Sequence, residues 1–171
     1  MIEFPDKKYS VIYSDPPWQY NNKNTGGSMK SGASAKYPTM SLDEIKALPI
    51  KSICEKDCVL YLWTTTPFLP SAFEVMKDWG FDYKTAMFWN KQRLGLGFWF
   101  RGQVEILLFG KKGKVKAFRS SIPNIVSCKS TKHSKKPEEF RRIIERVSFG
   151  DKIEIFAREQ HEGWDCWGDE V

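Results

Sequence analysis

Runs of apolar residues alternate along this chain with stretches in which apolar positions recur every three or four residues. The runs predict strands, and the helical spacing predicts helices. The predicted strands span residues 9–14, 59–65, 85–90, 104–110 and 152–157, and the predicted helices span residues 41–48, 66–80 and 137–148. Strands that alternate with helices indicate an α/β fold with a mostly parallel sheet between helices.

Local signals mark the ends of the predicted helices. Ser41 and Glu44 form a capping box at the start of the first helix. Gly80 and Gly150 are expected to end the second and third helices, because glycine is the usual residue after a helix terminus. The expected core positions of these two helices are Leu69, Phe73, Met76, Phe140, Ile143, Ile144 and Val147.

The length of 171 residues is enough for one domain with a full core, and we expect a single domain over residues 1–171. Residues 20–37 are rich in Gly, Ser, Asn and Lys, and residues 91–103 are rich in Gly and Arg, so we expect two mobile loops. No stretch has the length and apolar character of a membrane span, and the amino terminus lacks a signal-peptide pattern. We therefore expect no membrane association and a cytoplasmic location.

The four cysteines are scattered, and Cys54 with Cys58 is the one close pair. A second close pair that would complete a zinc site is missing, so we expect no metal. Scattered thiols also favour a reducing compartment.

Basic residues are concentrated in the second half of the chain. Residues 84–146 hold sixteen Lys and Arg against four Asp and Glu, whereas the remainder of the chain has a net charge of −6. Such segregation is typical of a surface that faces a polyanion, and nucleic acid is the expected partner. The alternative is ordinary solubilising charge on exposed faces.

The sequence Asp15-Pro16-Pro17-Trp18 directly follows the first predicted strand. An ionised Asp offers only hydrogen-bond acceptors, and proline has a carbonyl but no N–H. An aromatic ring provides a surface on which a nucleobase can stack. Together they suit a planar heterocycle whose exocyclic amine needs two acceptors. The alternative is a strand that ends in a rigid turn.

Ligands of parallel sheets bind at the carboxyl ends of the strands. Asp15 follows the first predicted strand and Arg158 follows the last, so we expect both to face one cleft.

The four-residue motif and several later segments resemble the adenine N6-methyltransferases related to the mRNA adenosine methyltransferase, here called the DPPW family. The matching segments, in the order of the family, are residues 37–40, 60–63, 99–101, 133–137, 152–158 and 164–168. The resemblance implies a Rossmann-like methyltransferase that uses S-adenosylmethionine. It also implies a circularly permuted motif order, in which the catalytic strand precedes the cofactor-binding segment.

The resemblance further implies roles for individual residues. Asp15, Pro16, Pro17 and Trp18 are the expected catalytic residues. The expected cofactor-binding residues are Asp15, Lys136, Glu154, Arg158, His161, Asp169 and Glu170, although the family often has Asn or Gln at the last two positions. The expected substrate-binding residues are Trp18, Tyr37, Arg101, Lys112 and His133. The alternatives are a core position for Trp18, a solvated Lys136 and a structural pair of Glu154 with Arg158.

The expected reaction is methylation of the exocyclic N6 amine of adenine in nucleic acid, with DNA preferred because no RNA-binding segment accompanies the catalytic part. RNA is the first alternative, and methylation of the cytosine amine fits the same acceptors. An inert nucleic-acid-binding homologue is a further alternative. A homodimer or a partner subunit fits the pattern, and a prokaryotic or phage-infected cell is the expected setting.

Overall fold

A seven-stranded sheet forms the centre of the residues that the computed structural model describes, which are 3–19, 39–129 and 135–171. The strands are β1 (Tyr9–Ser14), β2 (Cys54–Thr64), β3 (Asp82–Asn90), β4 (Val104–Lys112), β5 (Ile125–Ser127), β6 (Lys152–Ile155) and β7 (Asp165–Trp167). Their order across the sheet is β5-β3-β4-β2-β1-β6-β7. β4 runs antiparallel to β2 and β3, and the other neighbouring pairs are parallel.

Helices cover both faces of this sheet, as expected from the sequence. They are α1 (Leu42–Lys46), α2 (Ile50–Ile53), α3 (Leu69–Asp78) and α4 (Glu138–Val147). Successive side chains of a strand point to opposite faces. Ile12 of β1 therefore packs in the core under α1, α2 and α3, while Val11 and Tyr13 pack in the core under α4. The prediction of a mostly parallel sheet between helices is confirmed.

The strand directions bring several element ends to one edge of the sheet, which we call the site edge. Ser14 pairs with Leu62 of β2 and with Ile155 of β6, so these three strands end together. Because β4 is antiparallel, its first residue, Val104, lies beside Asn90 at the end of β3 on this same edge. The connection between β3 and β4 therefore projects from the site edge.

β2 and β3 begin earlier than predicted and β4 ends later, whereas β6 ends at Ile155 rather than at residue 157. Two strands were not predicted. β2 begins at Cys54 rather than at residue 59, and its polar residues 55–57 are exposed where the pairing with β1 shifts register. The short strands β5 and β7 form the two borders of the sheet. A three-residue border strand is held by backbone pairing to one neighbour and needs no apolar alternation, so the sequence carried no signal for it.

The second predicted helix differs from the structure in two respects. It begins as a 3-10 turn at Thr66–Phe68 before α3 starts, and its buried face is Ala72, Val75 and Met76. Phe73, a predicted core position, is 38% exposed and packs edge-to-face against Tyr83 at the rim. A phenylalanine at the border of a helical stripe can cover a neighbouring strand without entering the core.

The predicted start of the first helix and the predicted end of the second are confirmed. The Ser41 side chain accepts a hydrogen bond from the Glu44 N–H, and the Glu44 carboxylate accepts one from the Ser41 N–H. Gly80 follows the end of α3 with φ of +87°, the left-handed region that glycine occupies without strain. Gly150 also has a left-handed φ of +91°, but the chain is already extended at Ser148, so Gly150 does not end α4 as predicted. In α4, Phe140 and Ile144 are fully buried, whereas Ile143 and Val147 are partly exposed.

The structure does not test two of the expectations. The predicted loop over residues 20–37 lies outside the described residues, and the single-domain assignment stays a prediction. No helix in the described ranges combines the length and apolar character required to cross a membrane.

Ile144→Ala should lower the free energy of unfolding by about 2–5 kcal/mol, because this fully buried side chain joins α4 to the sheet and its loss leaves a cavity. Urea denaturation followed by circular dichroism measures the change. Ile125→Ala is the matched control on β5, where Ile125 is 51% exposed. The assigned packing of α4 is wrong if both variants lose the same stability.

Candidate active site

The turn after β1 is fixed by its own backbone and by the chain near residue 40. The Trp18 N–H donates to the Pro16 carbonyl at 2.9 Å, and the Met40 N–H donates to the Pro17 carbonyl at 3.0 Å. The Trp18 indole N–H donates to the Trp63 carbonyl at 3.1 Å. These bonds hold Asp15 at the site edge. One acceptor position of the Pro16 carbonyl is used within the turn, and a carbonyl has a second.

Asp15 lies on the wall between two neighbouring cavities. The larger cavity has a volume of about 980 Å³ and the smaller one about 200 Å³. Asp15, Lys136 and Arg158 line both. The Asp15 side chain is 23% exposed, so it is recessed but accessible. A group bound in one cavity and a group bound in the other would meet at this carboxylate.

Lys136 joins two carboxylates at this wall. Its Nζ is 3.0 Å from Asp15 Oδ2 and 2.8 Å from Glu105 Oε2, and Glu105 Oε1 is in turn 2.7 Å from Lys91 Nζ. The Lys136 ammonium also lies 5.2 Å from the ring centroid of Trp63. Charge-assisted bonds of this length are among the stronger hydrogen bonds in proteins. The arrangement alternates negative and positive charges from Asp15 to Lys91.

Burial and neighbouring charges act in opposite directions on these groups. Burial raises the pKa of Asp15 above its ordinary value, although the cations of Lys136 and Arg158 draw it down. Burial alone would lower the pKa of Lys136, but Asp15 and Glu105 outweigh it and raise the pKa. Burial likewise opposes ionisation of Glu105, yet Lys136 and Lys91 hold its pKa below the usual value. Lys136 is therefore charged, and Asp15 is the carboxyl of this set whose proton affinity is raised.

A buried ion pair forms the back of the smaller cavity. Arg141 Nη2 lies 2.6 Å from Glu154 Oε2, and burial raises the pKa of Glu154 despite the arginine. The guanidinium of Arg141 lies 5.4 Å from the Tyr13 ring centroid and 5.0 Å from that of Trp164. Its Nε and Nη1 atoms are buried without a hydrogen-bond partner in the part of the chain that the structure describes. Arg141 Nε also lies 3.5 Å from Glu138 Oε1, so a guanidinium and two carboxylates line this cavity together.

The turn after β6 supplies the remaining wall of the smaller cavity. Phe156 has φ of +66°, which is strained for a residue with a side chain, and strain of this kind is concentrated at functional sites. Phe156, Arg158, His161 and Glu170 all line the cavity, and Arg158 Nε is 3.7 Å from Glu170 Oε1. The turn thus supplies the guanidinium of Arg158 and the imidazole of His161 to the cavity that Asp15 also lines, and Glu170, which follows β7, adds a carboxylate.

The structure brings most of the predicted cofactor-binding residues together. Those that line the smaller cavity are Asp15, Lys136, Glu154, Arg158, His161 and Glu170. Asp169 is exposed next to Glu170 and is not among the lining residues. Glu154 pairs with Arg141 rather than with Arg158, so the structural pair considered from the sequence is replaced by a different one. The binding roles themselves stay predictions.

The predicted substrate-binding residues are dispersed. Trp18 is buried and its ring stacks on Phe68, with 5.7 Å between centroids and 16° between planes, at the wall of the larger cavity. Arg101 also lines that cavity, and its Nε donates to the Gly95 carbonyl. Lys112 pairs with Cys58 at the opposite edge of the sheet, because β4 runs antiparallel and its end points away from the site. Tyr37 and His133 lie outside the described residues.

Several side chains of the site were not predicted from the sequence. They are Tyr13, Trp63, Lys91, Glu105 and Arg141. An acid at the second residue of an apolar strand, as at Glu105, is a signal that could have been followed. Arg141 carried no such signal, because its neighbours in α4 made it look like one of several solvated arginines.

Cysteine contacts are local. Cys54 and Cys58 are buried free thiols, and Cys54 Sγ lies 3.1 Å from the Ile50 carbonyl oxygen. In the described ranges, no group of three or more His, Cys, Asp or Glu side chains is arranged to hold a metal ion.

Comparison with known proteins identifies the family of the chain. The family model for MT-A70 matches residues 9–170. The chain is 37% identical to the Type II methyltransferase M.MunI of Mycoplasma sp, a match that covers 99% of this chain and 80% of that protein.

Eukaryotic relatives match over the same region. The chain is 31% identical to the N(6)-adenosine-methyltransferase subunit METTL3 of Danio rerio, over 88% of this chain and 26% of that protein. It is 30% identical to the N(6)-adenine-specific methyltransferase METTL4 of Homo sapiens, over 96% of this chain and 38% of that protein. The chain thus spans most of the Mycoplasma protein and a minor part of the two eukaryotic ones.

The resemblance drawn from the Asp-Pro-Pro-Trp motif is confirmed, while the permuted motif order stays a prediction. The family match extends across β1, the Lys136 segment and the turn after β6, which are the elements that form the two cavities. The chain therefore belongs to the MT-A70 family of adenine N6-methyltransferases.

Proposed function

We propose that this chain transfers the methyl group of S-adenosylmethionine to the N6 amine of adenine in nucleic acid, with DNA as the preferred polymer. The observation that carries the proposal is the position of Asp15 on the wall shared by the two cavities. The smaller cavity then holds the cofactor and the larger one receives the base. Transfer requires that the two reacting groups meet in a fixed orientation, and a shared wall provides this.

The chemistry of the smaller cavity fits the cofactor. S-adenosylmethionine has a carboxylate, an amino group, ribose hydroxyls and a positively charged sulfur. The guanidinium groups of Arg141 and Arg158 suit the carboxylate, while Glu154 and Glu170 suit the hydroxyls and the amino group. Bound there, the cofactor supplies an electrophilic methyl group.

Asp15 orients the adenine amine. Lys136 holds Oδ2, and we assign the contact with the amine to Oδ1. The second acceptor is the Pro16 carbonyl, which uses one of its two acceptor positions within the turn. Two acceptors on one amine pull both N–H bonds toward the protein and direct the nitrogen lone pair away from the ring plane. The amine is thereby a better nucleophile.

Asp15 is also the acceptor of the proton that the amine loses. Burial raises its pKa, so its proton affinity exceeds that of an ordinary aspartate. Lys136 keeps the group ionised before the reaction, because a nearby cation favours the carboxylate. The residue thus starts as an acceptor and has the affinity to take a proton at Oδ1.

The wider biological setting follows from the same proposal. The similarity to the Mycoplasma methyltransferase over most of both chains supports DNA, and the similarity to METTL3 keeps RNA as the second candidate. A cytoplasmic location, absence of membrane association, and a homodimer or partner subunit stay predictions.

Incubation with DNA or RNA and isotope-labelled S-adenosylmethionine, followed by mass spectrometry of the nucleosides, should show labelled N6-methyladenine from DNA. Asp15→Ala should lower the rate by about 100-fold or more, because it removes the group that orients the reacting amine. Asp82→Ala is the matched control, since Asp82 is exposed at the opposite edge of the sheet. Labelled cytosine or no product would contradict the proposal. Calorimetry with S-adenosylmethionine separates an inert homologue, which gives no heat of binding.

The rate of transfer should fall as the pH is lowered through the pKa of Asp15, which lies above the ordinary value of 3.8, because a protonated carboxyl cannot accept the amine protons. Lys136→Met should move this acid limb to higher pH by about one unit, since loss of a neighbouring cation raises the pKa of a carboxyl. Initial rates at saturating cofactor give the profile. Lys56→Met, an exposed position away from the site, is the control. An acid limb that stays in place in Lys136→Met would contradict the assigned coupling.

The basic residues that line the larger cavity should dominate the salt dependence of DNA binding. Arg93→Gln with Lys129→Gln should lower the slope of log K against log salt by about one to two units, because each phosphate contact adds roughly one. Lys84→Gln with Lys114→Gln, exposed positions toward the opposite edge, should leave the slope unchanged. Equal effects of the two pairs would mean that the whole basic surface binds. Fluorescence anisotropy over a salt series measures the slopes.

A further inference from the structure

The connection between β3 and β4 presents the largest exposed apolar cluster in the described residues. Eleven large apolar side chains are exposed across all the described residues, and five of them lie between residues 94 and 100. The exposed fractions of Phe98, Trp99 and Phe100 are 87%, 94% and 96%. Exposed apolar patches of this kind on a folded protein mark a binding surface. We call residues 98–100 the aromatic tip.

The arms of this connection are held together by backbone contacts. The Lys91 N–H donates to the Gln103 carbonyl at 3.0 Å, the Gly95 N–H to the Gly102 carbonyl at 2.6 Å, and the Gly102 N–H to the Leu96 carbonyl at 3.2 Å. A side chain at Gly97 would collide with the Phe100 carbonyl, so the tight turn below the tip requires glycine there. The turn that presents the tip is therefore already formed, so binding costs little conformational entropy.

The arms that carry the tip form part of the rim of the larger cavity, which we call its entrance. Leu94 and Leu96 line the cavity from one arm and Arg101 from the other. Arg93 and Lys129 line it as well and provide positive charge at the same cavity. An apolar end flanked by cations matches nucleic acid, in which stacked bases lie between two lines of phosphate.

Asp15 is recessed below this entrance, so an adenine within a duplex cannot reach it while stacked. The base must leave the stack, which costs unstacking and unpairing energy and opens a gap between the neighbouring base pairs. Proteins fill such gaps with apolar side chains inserted between base steps.

We propose that the aromatic tip inserts into the duplex and stacks in the gap left by the extruded adenine, with Trp99 as the principal ring. This inference rests on the proposed function and adds a base-extrusion element to it. The tip recognises the stacked faces of nucleobases, which every base has, and so acts on any sequence around the target.

The test compares native plasmid DNA with the same DNA denatured by heat, because bases of single strands are already unstacked. Trp99→Ala should lower the initial rate of N6-methyladenine formation on native DNA by about 10-fold or more and on denatured DNA by about twofold or less. Phe98→Ala should act in the same direction. Phe149→Ala is the matched control, since Phe149 is 80% exposed and lies before β6, away from the site edge. It should leave both rates unchanged.

Equal losses on native and denatured DNA would overturn the proposal. If those losses accompany conversion of a dimer to a monomer in size-exclusion chromatography with light scattering, the tip is an interface between copies of this chain. Permanganate oxidation of thymines in the bound native DNA gives a readout without methyl transfer. Wild-type protein should increase this reactivity and Trp99→Ala should not. A wild type that unstacks thymines but forms no N6-methyladenine contradicts the proposed function alone, and one that leaves thymines unreactive contradicts the insertion.

Discussion

The contact of Lys136 with two carboxylates ties the active-site wall to the core. Asp15 follows β1, Glu105 lies at the start of β4 and Lys136 precedes α4, so one ammonium links three separate elements. Its position depends on α4, whose Phe140 packs edge-to-face against Trp63 in the sheet. Removal of one partner from a buried ion pair leaves an uncompensated charge, at a cost of about 3–5 kcal/mol. The apolar packing of α4 against the sheet therefore also fixes the position of the Lys136 charge between Asp15 and Glu105.

Trp63 shows how closely the core and the site are joined. Its indole N–H donates to the Tyr13 hydroxyl at 2.7 Å, its carbonyl accepts from the Trp18 indole, and its ring lies under the Lys136 ammonium. One buried residue at the end of β2 thus contacts the motif after β1 through its carbonyl, and the cation before α4 and the tyrosine behind the smaller cavity through its side chain. A change at this position would alter the site through geometry, without loss of any charged group.

The sequence was most informative where a chemical requirement is local. The Asp-Pro-Pro-Trp turn, the capping box at Ser41 and the left-handed Gly80 each depend on residues that are close in the chain, and all were found where expected. The direction of β4 was not predicted, because a run of apolar residues does not show whether the strand lies parallel or antiparallel to its neighbours. The reversal takes Lys112, an expected substrate-binding residue, away from the site and brings the unpredicted Glu105 into it. The partnership of Arg141 with Glu154 likewise depends on packing between distant segments.

The reversal of β4 has a consequence for how such a protein can change its contact with the duplex. The segment between Asn90 and Val104 connects two residues that pair with each other in the sheet. Its length and composition therefore do not change the register of any strand. The segment lines the larger cavity. Its one residue in the series of ion pairs from Asp15 through Lys136 and Glu105 is Lys91, which directly follows β3. The proposed contact with the duplex is thus attached to the catalytic frame as a separate hairpin. Substitutions or insertions in it can change how strongly the duplex is opened while the transfer chemistry is kept.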